Sequence, residues 1–115
     1  MNNAQIHEID ELGDYYQQLE LVRMTYRTHL SILLIEPKNR DEFLKKVGIL
    51  FGRMLHSKLL ELDEDIIRQL EEFSKFSAPN IVAIKTEEYL ATIVKLLPVL
   101  QEMIQRQLKL RGVNI

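Results

Sequence analysis

The chain has 115 residues, of which 46% are hydrophobic and 28% charged, and its net charge is −2. This size and composition fit one folded domain with its own core, and the lack of cysteine excludes disulfides and thiolate-bound metals. The longest apolar block, residues 30–35, is far shorter than the roughly 20 residues that cross a bilayer, and the acidic start does not resemble a secretory signal, so we expect a cytoplasmic protein without a membrane partner.

The first predicted helix carries one apolar stripe. Asp14 and Gln17 form a capping pair, so we expect the main helix over residues 15–35, with residues 1–13 as a short extra helix or a frayed lead. Pro37 ends the helix, because a residue that precedes proline avoids the helical conformation. The members of the stripe recur at spacings of three and four, which places them on one face: Leu12, Tyr15, Leu19, Val22, Tyr26, His29 and Leu33.

The second predicted helix runs from residue 40 to about residue 61, after a cap formed by Asn39 and Glu42. Gly48 and Gly52 lie four residues apart and therefore share a face. Each glycine costs about 1 kcal/mol relative to alanine inside a helix. We therefore expect another helix to approach closely there, and we include both glycines among the candidate partner-binding residues.

A third helix is predicted to open with the acidic residues 63–65, which suit the positive end of a helix dipole, and to end before the loop residues 77–80. Residues 81–84 are interpreted as an extended connector or a short turn. Thr86 is then the expected cap of the fourth helix.

The fourth predicted helix has Pro98 in its interior, where proline removes a backbone hydrogen bond and crowds the preceding turn. We expect a kink at this position. The helix has two apolar stripes, and one stripe is enough to pack a surface helix. The second stripe therefore predicts a partner-binding surface at Tyr89, Leu96, Val99 and Met103; the alternative is that these side chains belong to the core of the single chain.

These elements predict an all-α fold over residues 1–115, an antiparallel bundle of four main helices with short connections. The charge changes sign along the chain, from −5 over residues 1–20 to +4 over 21–62, −4 over 63–88 and +3 over 89–115. Such alternation favours antiparallel neighbours, although each exposed ion pair contributes less than about 1 kcal/mol.

Two groups of polar residues are candidates for catalysis or for binding nucleic acid. Arg23 and His29 have the R-x5-H spacing, which is similar to that of the HEPN ribonucleases, but Met24 replaces the polar residue that usually follows the arginine. We interpret His29 as a packed or partly buried histidine. Seven basic residues are candidates for phosphate contacts. They are Lys38, Lys45, Lys46 and Arg53 in the second helix, and Arg106, Lys109 and Arg111 near the end of the chain.

The leading hypothesis is a non-enzymatic protein–protein interaction module, a small helical subunit or adaptor that binds another protein or a second copy of itself. The alternative is a nucleic-acid-associated subunit that uses the seven basic residues, and a HEPN-like ribonuclease that uses Arg23 and His29 comes third. We expect no catalytic residue, metal, cofactor or small-molecule substrate, because no set of residues has the spacing of a phosphate loop, a hydrolase or a metal site.

Overall fold

The structure is a computed structural model that describes residues 2–74 and 83–113, and only the backbone of residues 83–86. This part of the chain contains four helices and no strand: α1 (Asn3–Ile35), α2 (Pro37–Leu55), α3 (Glu64–Ser74) and α4 (Ala83–Leu110). The all-α class is therefore confirmed for the described residues. The predicted loop at 77–80 lies outside them.

Helix α1 is longer than the sequence analysis predicted. It begins at Asn3, and the side chain of Asn2 caps it by accepting a hydrogen bond from the Gln5 backbone at 2.7 Å. Residues 3–13 belong to this helix, so they form neither the separate extra helix nor the frayed lead that the sequence predicted. Leu12 is fully buried, and burial of such a side chain contributes about 1.5–3 kcal/mol, which outweighs the cost of about 1 kcal/mol for Gly13.

A bend interrupts α1 at His29, whose backbone leaves the helical region with φ −123° and ψ 21°. The hydroxyl of the preceding residue, Thr28, donates to the Met24 carbonyl at 2.8 Å, an arrangement that often bends helices. The His29 side chain is exposed. Its interpretation as a packed histidine is therefore wrong.

Helices α1 and α2 are joined by Glu36 alone. Its backbone N–H closes α1 on the Ile32 carbonyl at 2.8 Å, and its carbonyl accepts from Arg40 in α2 at 3.1 Å. Pro37 takes the first helical position, where its missing N–H needs no partner and its fixed φ suits the helix. Asn39 is therefore not the cap that the sequence predicted. Its side chain instead donates to the Glu36 carboxylate at 2.7 Å.

Helix α2 ends at Leu55, about six residues earlier than predicted, and residues 56–63 connect it to α3. The Ser57 hydroxyl accepts from the Leu59 backbone at 3.2 Å and donates to Glu11 at 2.7 Å. Such local side-chain bonds compete with helix continuation. The acidic start of α3 is confirmed, since the Asp63 carboxylate accepts from the Ile66 backbone at 2.8 Å.

Helix α4 already includes Ala83 and runs through Thr86, so Thr86 is not its cap, and residues 83 and 84 are helical rather than part of a connector. Residues 81 and 82 lie outside the described part. The helix ends where Gly112 adopts φ +82°, and the Val113 N–H bonds the Leu108 carbonyl at 2.9 Å. This pattern is a Schellman motif, which glycine favours because it has no Cβ.

The helices pack as a connected series, with α1 against both α2 and α4, and α2 against α3. Hydrogen bonds join Gln101 to Glu20 and Arg111 to Glu8, so α4 runs opposite to α1 along this contact. The molecule measures 48 × 28 × 20 Å. Its length is that of α1, because 33 helical residues at 1.5 Å each span about 50 Å.

Candidate functional site

The second apolar stripe of α4 is largely covered by the chain itself. Leu96 is only 4% exposed, and Tyr89 and Met103 are partly buried against the core, whereas Val99 is 41% exposed. The Tyr89 ring meets Phe73 of α3 edge-on, with 5.4 Å between centroids. The expectation that Leu96 offers a binding surface is therefore corrected, because its side chain belongs to the core of the chain itself.

The two glycines of α2 lie at an internal helix contact. A Cβ at Gly52 would meet the Ser74 Cβ of α3 at 3.4 Å, which is contact distance. Gly48 is buried. The predicted close approach is thus confirmed at Gly52, but the neighbouring helix belongs to the same chain, and this contact provides no argument for a partner.

Exposed apolar side chains are concentrated on α1 instead. Leu21, Ile32 and Ile35 are 56%, 40% and 76% exposed. Together with Thr25 and Thr28 they recur at spacings of four, three, four and three, the heptad pattern of helices that bind other helices. We call these five residues the outer stripe. The Thr28 hydroxyl already donates to the Met24 carbonyl, so this polar group of the stripe has a hydrogen-bond acceptor within its own helix.

An open groove of about 690 Å³ separates the second half of α1 from the first half of α2. Its buried lining is apolar and consists of Leu33, Phe43, Val47 and Leu50. Leu21, Thr25 and Ile32 of the outer stripe also border it. The outer stripe and the groove therefore form one continuous surface, which we call the hairpin face.

The rim of the groove on α2 carries one acid and one base. Glu42 and Lys46 are both exposed and lie four residues apart on the same side of the helix. Within residues 2–74 and 83–113, neither forms an ion pair in the chain. Both charges remain available for a partner on the hairpin face.

The seven basic residues do not form one patch. Lys38, Lys45 and Lys46 lie in the first half of α2, whereas the Ser57–Glu11 and Arg111–Glu8 bonds place the end of α4 near the opposite end of that helix. Three of the seven are already paired with carboxylates: Arg53 with Asp14, Arg106 with Glu102, and Arg111 with Glu8. Lys109 is exposed near the end of α4.

Arg23 and His29 face different neighbours. Arg23 binds Glu20 through two hydrogen bonds of 2.9 and 3.2 Å, and Gln101 of α4 donates to the same carboxylate at 2.6 Å. These bonds lower the pKa of Glu20, with the larger contribution from Arg23. His29 instead borders the groove towards α2. The chain does not bring this pair together as an acid–base site.

Comparisons with family models, curated proteins and solved structures find no match to the chain. None of the helices in the described part combines the length and the hydropathy needed to span a membrane.

Sequence analysis missed the outer stripe because two of its five members are threonines. Without them, Leu21, Ile32 and Ile35 do not form a regular pattern. Counting the threonine methyl groups as apolar completes the heptad spacing and was the signal available. The groove had no such signal, because it depends on how α1 and α2 separate in space.

Proposed function

We propose that the protein is a non-enzymatic protein–protein interaction module, a small helical subunit or adaptor of the cytoplasm, and that it binds its partner through the hairpin face. The observation that carries this proposal is the apolar groove bordered by the exposed outer stripe. Large exposed apolar patches with a polar rim are typical of binding surfaces. Covering this one gains roughly 25 cal/mol for each Å² of apolar surface removed from water.

The shape of the surface favours a helical partner. A groove between two helices accepts the apolar side of a third helix, whose side chains at three- and four-residue spacing fit between the ridges. The outer stripe provides such spacing from Leu21 to Ile35. Contacts along this length cover about 21 Å of α1, which includes the bend at His29.

Site-specific photocrosslinking tests the proposal. A benzophenone side chain at Leu21 or Ile32 is expected to form adducts with protein in cells that express the full chain. The same group at Val99, which is also exposed but lies on α4 outside the hairpin face, serves as the matched control. Adducts at Val99 but not at the two hairpin positions would contradict this location of the binding surface.

The nucleic-acid alternative has less support. Its basic residues are divided between the first half of α2 and the opposite end of that helix, where the end of α4 lies, and three of them are paired with carboxylates. The same crosslinking separates the two functions. Adducts with RNA or DNA at Lys45 and Lys109, and none with protein at Leu21, would favour the nucleic-acid function. The ribonuclease alternative gains no support from the separate positions of Arg23 and His29.

We further propose that the helices form an antiparallel bundle whose last helix bends at Pro98. Gln101 of α4 bonds Glu20 of α1, and the later residue Arg111 bonds the earlier residue Glu8. This reversed order supports the antiparallel arrangement. A bend would let the first half of α4 follow α3, where Tyr89 meets Phe73, while the second half follows α1.

A further inference from the structure

We infer that the hairpin face binds a second copy of this chain in an antiparallel arrangement, in which Glu42 of each copy pairs with Lys46 of the other. The inference rests on the proposed function and identifies the partner. It follows from the position of these two charges, from the α1 side chains that line the same groove, and from the symmetry of the resulting contact.

The two charges straddle the middle of the groove. Its lining on α2 runs from Asn39 to Leu50, with Glu42 and Lys46 to either side of the midpoint. A two-fold axis that crosses α2 between them reverses the direction of the second copy. Each Glu42 then lies opposite a Lys46, and the symmetry creates this attraction twice.

The same axis brings complementary sizes together on α1. Leu21 and Thr25 of α1 line the same groove as Glu42 and Lys46 of α2. An antiparallel copy whose axis also passes between Leu21 and Thr25 places the long side chain of Leu21 opposite the short side chain of Thr25, again twice.

The charge pattern favours the second copy over a different protein. One acid and one base four residues apart make the rim neutral, so it selects neither a strongly acidic nor a strongly basic helix. A partner must present a base and an acid in the opposite order at the same spacing. An antiparallel copy of α2 presents this order.

Charge reversal provides the test, with the mass of the purified full chain measured by light scattering over a hundredfold range of concentration. The wild-type chain is expected to move from the mass of one chain towards that of two. Glu42→Lys and Lys46→Glu each create two like-charge contacts, and each is expected to raise the dissociation constant on the order of tenfold or more. The double variant Glu42→Lys/Lys46→Glu is expected to restore association, because it exchanges the positions of the charges.

Matched controls change the net charge by the same amount elsewhere. Glu102→Lys and Arg106→Glu alter an exposed pair on α4 that lies outside the hairpin face. They are expected to leave the dissociation constant within about twofold of wild type, because screening weakens distant surface charges. Circular dichroism of every variant establishes that the helices are formed.

Three results would overturn the second copy as the partner. They are the mass of a single chain at every concentration, single reversals that associate like wild type, and a double variant that associates no better than the single ones. Photocrosslinks at Leu21 distinguish this failure from failure of the proposed function. Adducts with a different protein and never with the chain itself exclude self-association but leave the interaction module in place, whereas the absence of protein adducts excludes both.

Discussion

Leu96 and Val99 are one turn apart on α4 and have opposite environments. Leu96 is in the core, and Val99 is exposed on the surface. We predict that Leu96→Ala lowers the free energy of unfolding by about 2–5 kcal/mol, because it leaves a cavity as well as losing buried apolar surface. Val99→Ala is expected to change it by less than about 0.5 kcal/mol, since exposed positions seldom contribute more.

Urea unfolding followed by circular dichroism measures both variants, at one fixed protein concentration, because self-association would itself add to the stability. Similar small effects at both positions would mean that Leu96 is not packed by its own chain. The second stripe of α4 would then again be a candidate for partner binding.

At the level of the helix, the sequence predicts which side is buried better than where a helix begins or which helix it meets. Leu12, Tyr15 and Leu19 of the predicted α1 stripe are buried, because three- and four-residue spacing follows directly from helical geometry. Just after the early end of α2, Ser57 bonds Glu11, which is 46 residues away in the sequence. Periodicity within one helix contains no information about such a contact.

The same limit explains the misplaced binding surface. Two apolar stripes on α4 indicate that it has two neighbours, but not whether both belong to the chain. In the structure, α4 packs along α1, and its Tyr89 ring contacts Phe73 of α3. The exposed apolar surface lies mainly on α1, where the outer stripe borders the opening towards α2.

Pro98 tests the proposed path of α4. Replacing an interior proline with alanine restores a helical hydrogen bond and removes a steric clash, a gain of about 3 kcal/mol where the helix keeps its path. If the bend allows α4 to follow both α3 and α1, straightening the helix weakens one of these contacts. We therefore predict that Pro98→Ala raises the free energy of unfolding by less than about 1 kcal/mol.

The urea midpoint and slope of Pro98→Ala, compared with wild type, measure this gain. Stabilisation close to the full value expected for a helix interior would show that the packing of α4 does not need a bend at Pro98. Pro98 is exposed, so the substitution itself removes no buried side chain and the effect on the backbone is measured directly.

For the whole molecule, Glu20 connects the longest helix to the last one. Its carboxylate accepts from Arg23 on α1 and from Gln101 on α4, and these bonds lower its pKa from the ordinary value of 4.5. A carboxyl group whose pKa is lowered by folding stabilises the folded state above its unfolded pKa, and this contribution is lost as the pH falls through the folded pKa. The α1–α4 contact is therefore expected to weaken in acid.

Glu20→Gln separates this contribution from the other acid-sensitive groups of the chain. At neutral pH the variant is expected to unfold at a lower urea concentration than wild type, because the amide cannot provide the charged acceptor that Arg23 and Gln101 share. Below pH 4.5 the Glu20 carboxylate becomes protonated first in the unfolded chain and, at a lower pH, in the folded chain, so the difference between the two proteins should shrink progressively as the pH falls through this range. Urea titrations of both proteins across this pH range measure the difference. A gap that stays constant with pH would show that the lost stability comes from the shape of the side chain and not from its charge, and the bond between α1 and α4 would then be an ordinary polar contact.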